Sequence, residues 1–376
     1  MATSPLGLEA VVAREIKDLG YETQSVENGR IFFQADALGI ARCNLWLRAA
    51  DRVFLVMGQF EARTFDELFE GVKALPWSDL LPRDCRFPVE GRSVKSQLAS
   101  VPACQGIVKK AIVASLQQTY DQEWFTETGD EYAVEVSLQK DQATITIDTS
   151  GAGLHKRGYR THTGLAPIKE TMAAALVLLS RWHPHRPFAD PLCGTGTIAI
   201  EAAMIAGRVA PGLRRDFASE AFPWIGPKPF NEAREEAFDL RYKTAQPDFH
   251  IQASDIDSRA VRMAQMHADG AGVSHMIDFS VSDIQAFVPQ APYGCIVTNP
   301  PYGERLDDRD TVRVVETALG HILQDHPTWS LFVLTSSQYL ERHIGRSADK
   351  NRKLYNARIE CKLYQYLGPL PPRRGS

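Results

Sequence analysis

No run of eighteen apolar residues occurs in the 376-residue chain, so no segment reads as a transmembrane helix. Residues 1–9 have neither the basic start nor the apolar stretch of an export signal. Cysteine is sparse. Cys43, Cys85, Cys104, Cys193, Cys295 and Cys361 stand singly without C-x-x-C spacing, which argues against a disulfide framework or a zinc site. His183 and His185 are split by Pro184 with no acid or cysteine near them in sequence, and read as a surface turn, so no metal is expected. These absences lead to the expectation of a cytoplasmic protein with reduced thiols and no membrane partner. Charge of one sign is lacking too. A net charge of −4 excludes phosphate binding by the whole surface, because counterion release needs clustered Lys and Arg. Any nucleic-acid contact must come from a local patch.

One stretch offers such a patch: His155, Lys156, Arg157, Tyr159 and Arg160, continuing to His162 and Lys169 with no acid before Glu170. The aromatic among the cations favours RNA contact; a solvated linker is the competing reading.

With 44% hydrophobic residues the chain can bury the cores of two or three domains. Apolar residues at helical spacing over 8–19, a strand at 30–34, a helix at 38–49 and a strand at 53–60 describe a small α+β unit. A second unit over 64–153 has helices at 65–75 and 105–120, a strand near 86–89, and a hairpin. The hairpin is the clearest piece, since 133–138 and 143–148 alternate with period two around Lys140 and Asp141. Beyond residue 163 helices expected at 168–181, 197–206 and 258–269 alternate with strands at 187–193, 249–255, 277–283, 293–299 and 330–336, then a final pair at 353–359 and 361–367. Such alternation argues a mostly parallel, doubly wound sheet with ligands at the carboxyl ends of its strands. The connection 207–248 is too long for a plain crossover, and its role stays open.

Every informative motif falls at a strand end. In Asp190-Pro191-Leu192-Cys193-Gly194-Thr195-Gly196-Thr197 the chain turns through two glycines into a helix, where free amides welcome negative charge. Neither a Walker A lysine nor the G-x-G-x-x-G fingerprint is present, which disfavours a phosphate cradle. Asp255, followed by Ile256, ends the next strand, where a carboxylate can accept both hydroxyls of a ribose. Asp283 ends the third, within reach of an adenine amine, and Asp190 lines the pocket in this reading. Together they describe a nucleoside pocket. Asn299-Pro300-Pro301-Tyr302 follows an apolar strand. The Asn299 amide oxygen and the Pro300 carbonyl are two acceptors for one exocyclic NH2, the prolines stiffen the turn, and Tyr302 offers a stacking face.

The chain resembles class I S-adenosylmethionine (SAM) methyltransferases, and among them the THUMP-domain RNA methyltransferases, in particular bacterial 23S rRNA guanine-N2 enzymes that occur alone or as the N-terminal half of a fused protein. The likeness rests on residues 154–160, 166–171, 190–197, 254–257 and 299–305, in that order. It implies a Rossmann-like α/β methyltransferase domain with a mostly parallel seven-stranded sheet at 156–376, preceded by a ferredoxin-like domain at 1–60 and a THUMP RNA-binding domain at 61–155. It implies SAM as cofactor, RNA as partner, and transfer to guanine N2 in 23S rRNA; the oligomeric state, monomer or homodimer, stays open. One departure is His267-Ala268 where relatives carry Asn-Ala, a position expected to concern helix packing. Competing readings are N6-adenine methylation of RNA or DNA, guanine-N2 methylation of tRNA, methylation of a protein glutamine, and an idle RNA-binding assembly factor.

Overall fold

The structure is a computed structural model that describes residues 1–160, 168–180, 182–242, 251–301, 308–356 and 359–372. Its amino-terminal part holds β1 (Ala2–Thr3), α1 (Glu9–Asp18), β2 (Thr23–Glu27), β3 (Arg30–Phe33), α2 (Ala37–Trp46) and β4 (Arg52–Glu61). Then come α3 (Phe65–Lys73), β5 (Val89–Val94), α4 (Val101–Tyr120), β6 (Val134–Gln139) and β7 (Gln142–Asp148). The helical spacing read over 8–19 buries Val11, Val12 and Ile16 on one face of α1. Thr64 and Glu67 form a reciprocal capping box at α3. Lys140 and Asp141 both take positive φ, the twist that a two-residue hairpin turn needs between β6 and β7.

The two expected α+β units prove to be built on one seven-stranded sheet, ordered β2-β3-β1-β4-β7-β6-β5. β4 is the shared member: Arg52 and Val53 pair with β1, while Phe54 to Glu61 pair with β7. The strand expected at 86–89 lies later, with Arg86 only bridging Glu131.

The carboxyl-terminal part contains α5 (Glu170–Leu179), β8 (Phe188–Asp190), α6 (Thr197–Ala206), α7 (Pro227–Leu240), β9 (Ile251–Asp255) and α8 (Ser258–Ala271). It continues with β10 (Ile277–Val281), β11 (Cys295–Thr298), α9 (Asp308–Asp325), β12 (Ser330–Thr335), α10 (Leu340–Ile344), β13 (Lys350–Asn356) and β14 (Ile359–Tyr366). The sheet order is β10-β9-β8-β11-β12-β14-β13, parallel except that β14 opposes both neighbours. The chain winds outward from β8 first to one side and then to the other, so a crevice opens at the carboxyl ends of β8 and β11.

The long connection after α6 clamps the two parts together. Its α7 carries Glu236, which pairs with Arg42 on α2. Gly212 N–H donates to Leu45 O at 2.9 Å, and Ser219 N–H to Thr149 O at 3.1 Å. Phe222 stacks on Tyr132 with ring centroids 4.1 Å apart.

Candidate active site

The glycine-rich turn starts where β8 ends. Cys193 N–H donates to Ser254 O on β9 at 2.8 Å, and Gly194 N–H to Asp255 Oδ2 at 2.9 Å. The other oxygen, Asp255 Oδ1, accepts the Asp257 N–H at 2.9 Å. Asp255 therefore locks the turn to the end of β9 while each oxygen keeps a lone pair for a further donor. Gly194 and Gly196 have φ of 52° and 81°, the left-handed region open to glycine. They differ in surroundings. A Cβ on Gly196 would stand 2.8 Å from the Ala264 Cβ on α8, whereas one on Gly194 meets nothing within 4 Å. Gly196 lets α8 pack against the turn, and Gly194 faces open space.

His267 joins the same turn. Buried on α8, its Nδ1 lies 3.2 Å from Thr195 O. The position concerns helix packing, as expected, and the side chain also grips the turn itself.

Asp190 is buried, and its carboxylate is turned inward. Thr298 Oγ1, at the end of β11, donates to Asp190 Oδ1 at 2.7 Å, and Leu192 N–H reaches the same oxygen at 3.3 Å. Burial pushes the Asp190 pKa up to about 7, opposed by those two hydrogen bonds and helped by the charge of Asp255. The expected place of Asp190 on the pocket wall is thus replaced by a tie between the glycine turn and the loop after β11. Thr298 is the residue that sequence reasoning missed, although its place just before Asn299 is a usable signal.

Beyond Thr298, Asn299 is half-buried, Pro300 buried and Pro301 exposed; Tyr302 lies outside the described residues. Asp283 is exposed and caps the short 3-10 turn Ile284–Ala286 by accepting the Gln285 N–H at 2.9 Å. Ile256 is 70% exposed, an apolar side chain held out beside Asp255. Thr197 opens α6, and burial holds the Cys193 thiol well above its usual range, which leaves it inert.

The basic stretch departs from the sequence reading. Arg157 and Tyr159 are 3% and 2% exposed, so neither side chain faces an outside ligand. Arg157 Nη1 donates to Leu154 O at 2.7 Å, and its Nε sits 3.3 Å from Glu201 Oε1 on α6. Tyr159 Oη donates to the same carboxylate oxygen at 3.3 Å. Arg160 pairs with Glu170 at 3.4 Å and donates to the Thr197 hydroxyl. The physical reason for the departure is Glu201, a carboxylate fully buried in an apolar helix, which demands a cation and donors. Only Lys156 is exposed; His155 is half-buried, with its pKa lowered to about 4 by burial and by the nearby cations, Lys169 first.

Residues 157–365 match the family described as RMKL-like, methyltransferase domain, residues 1–54 the RlmL ferredoxin-like domain, and residues 62–148 the THUMP domain. A Bacillus subtilis (strain 168) relative named "Putative RNA methyltransferase YpsC" is 51% identical over 376 residues, 100% of this chain and 97% of its own. A Listeria monocytogenes str. 4b F2365 structure, "a predicted N6-adenine-specific DNA methylase", superposes with a TM-score of 0.92 at 51% identity, covering 98% of this chain and 95% of the other. SMU.472, "a putative methyltransferase complexed with SAH", reaches a TM-score of 0.91 at 45% identity, covering 99% and 98%.

Proposed function

Because the chain belongs to the RMKL-like, THUMP-bearing family of SAM-dependent RNA methyltransferases, we propose that it methylates the exocyclic N2 amine of a guanine in 23S rRNA, in the cytoplasm. One observation carries the reading. The Thr298–Asp190 and Gly194–Asp255 hydrogen bonds lash the loop after β11 and the glycine turn to adjacent strand ends, so a donor on one and an acceptor amine on the other share a crevice.

The residues fit the cofactor, since Gly194 leaves open space beside the remaining lone pairs of Asp255. In this reading Leu192, Cys193, Gly194, Thr195, Gly196 and Thr197 cradle SAM with their backbone, Asp255 accepts its ribose hydroxyls, and Ile256 and Asp283 meet the adenine. Bound SAM supplies an electrophilic methyl group and the driving force for its transfer. Asn299 and the Pro300 carbonyl accept the amine N–H groups and strengthen as positive charge develops on nitrogen. Pro301 keeps the loop stiff, and Tyr302 is the platform for an unstacked base. No strong base is required, since the proton leaves to solvent after transfer.

Asn299→Ala tests the reading: loss of methylation with retained SAM binding is expected, and retained turnover overturns the role. N6-adenine methylation is the second reading, favoured by the name of the Listeria relative and by a loop that reads only an amine. Mass spectrometry of rRNA and tRNA nucleosides with and without the protein separates guanine N2 from adenine N6 and rRNA from tRNA. An RNA-binding assembly factor without catalysis predicts no heat on titration with SAM.

A further inference from the structure

A cleft of about 330 Å³ opens where the amino-terminal part meets the methyltransferase domain, lined by Leu6 and Asp51 on one side, Lys169, Thr171 and Met172 on α5 and the residues before it, and Tyr355 on β13. It is built rather than accidental. Arg352 on β13 donates to Gly7 O at 3.1 Å, and a Cβ on Gly7 would stand 3.1 Å from Lys353 O, so the two walls are in close register. The cleft also lies on the side where methyl transfer is placed. Thr335, the last residue of β12, pairs with Lys362, so the end of β13 from Leu354 and the start of β14 overhang the carboxyl ends of the parallel strands. Arg160 ties the start of α5 to the start of α6, through Glu170 and the Thr197 hydroxyl.

Its polar groups are unspent. Thr171 is fully buried, and its hydroxyl has no hydrogen-bond partner among the described residues. The Asp51 carboxylate, half-buried, has neither a hydrogen bond nor an ion pair among them, although its backbone N–H and C=O are both used, by Thr3 O and by Leu154 N–H. Lys169 lies close enough to oppose, through its charge, the upward push that burial gives the Asp51 pKa. Around this polar set stand Leu6, 52% exposed, the half-buried Tyr355 ring and the Met172 side chain. A carboxylate acceptor beside an ammonium donor, walled by an aromatic ring and aliphatic side chains, matches one planar heterocycle that presents N–H donors beside an acceptor.

We infer that this cleft is a second base-binding site, distinct from the methyl-accepting one, that takes a guanine of the RNA flanking the modified nucleotide. Guanine is favoured because N1–H and N2–H donate side by side to one carboxylate, while O6 accepts from Lys169; adenine offers a single amine and uracil a single N–H between two acceptors. The inference rests on the reading of the chain as an RNA methyltransferase and adds where the RNA beside the target is recognised.

The probe is guanosine 5′-monophosphate, followed through the ¹³C-methyl signal of Met172 in the full-length protein. Saturable movement of that signal is expected in the wild type and equally in Asn299→Ala, which removes the methyl-accepting contact. Asp51→Asn should weaken it at least about tenfold, the effect of losing one charge-assisted hydrogen bond. Tyr355→Ala should weaken it as well, which keeps the test open should Asp51→Asn fail to fold. Adenosine 5′-monophosphate should move it far less. An unmoved Met172 signal, an undiminished response in Asp51→Asn, or equal responses to the two nucleotides overturns the inference. Failure of the functional reading registers elsewhere, as rRNA and tRNA nucleosides whose methylation does not change with the protein.

Discussion

Replacing Asp190 by Asn removes a titrating group and keeps its shape. The new amide oxygen can still accept from Thr298 Oγ1 and Leu192 N–H, so the tie between β8 and β11 survives. The folded wild type holds the Asp190 proton up to about pH 7, against an ordinary carboxyl value of 3.8. Between those values the unfolded chain has lost the proton and the folded one retains it, so stability falls as pH rises through this window and is level above it. A gap of about three pH units corresponds to at most roughly 4 kcal/mol, at about 1.4 kcal/mol per unit. The amide NH2 adds a buried donor costing about 1–3 kcal/mol, an offset that does not vary with pH. Glu15, whose pKa burial likewise raises to about 7, contributes the same slope to both proteins and cancels in their difference. Denaturation of the two proteins at pH 4.5 to 8.5 and constant ionic strength is the assay. The variant should lose less stability than the wild type between acid and neutral pH, with the two curves running parallel above about pH 8. Parallel curves across the entire range would refute an elevated Asp190 pKa and the inward placement behind it.

Asn299→Ala should lower turnover by about 10²–10³, the usual effect of removing one donor or acceptor to developing charge, with SAM affinity unchanged by calorimetry. Gly194→Ala and Gly196→Ala should part company. Both strain the backbone by about 1–2 kcal/mol, but only Gly196→Ala also collides with Ala264, so it should show the larger fall in melting temperature. Gly194→Ala should instead show its main loss in SAM affinity; equal effects on both readouts would contradict the contrast. Arg157→Met strands Glu201 in an apolar helix and should cost about 3–5 kcal/mol in a denaturant titration, whereas Lys156→Ala should leave stability within about 0.5 kcal/mol.

Strand and helix periodicity make most of the fold legible in the sequence. The helix at 197–206 has the bounds expected, because a glycine turn starts it and Gly207 follows it. The hairpin at β6 and β7 was equally readable, from alternation on both sides of Lys140 and Asp141. What stayed hidden depended on distant partners. β1 has two residues and no periodicity to show, and nothing local reveals that β4 serves two units at once. At the site, the strand-end placement of Gly194, Asp255 and Asn299 was readable, while the directions of side chains were not. Asp190 turns inward to Thr298, and Arg157 and Tyr159 turn inward to Glu201. A signal for the second departure was present: an acid in the middle of Thr-Ile-Ala-Ile-Glu-Ala-Ala-Met-Ile-Ala has no apolar use and needs a cation from elsewhere in the chain.

The clamp formed by α7 and its flanking turns has a bearing on how a target is chosen. It fastens the amino-terminal sheet to the methyltransferase half from outside, as buried Arg157 does from within by donating to Arg48 O, and two such fastenings restrain swivelling. A molecule so braced is a caliper with a fixed gap: under the proposed function, RNA held by the first jaw meets the second at one set distance.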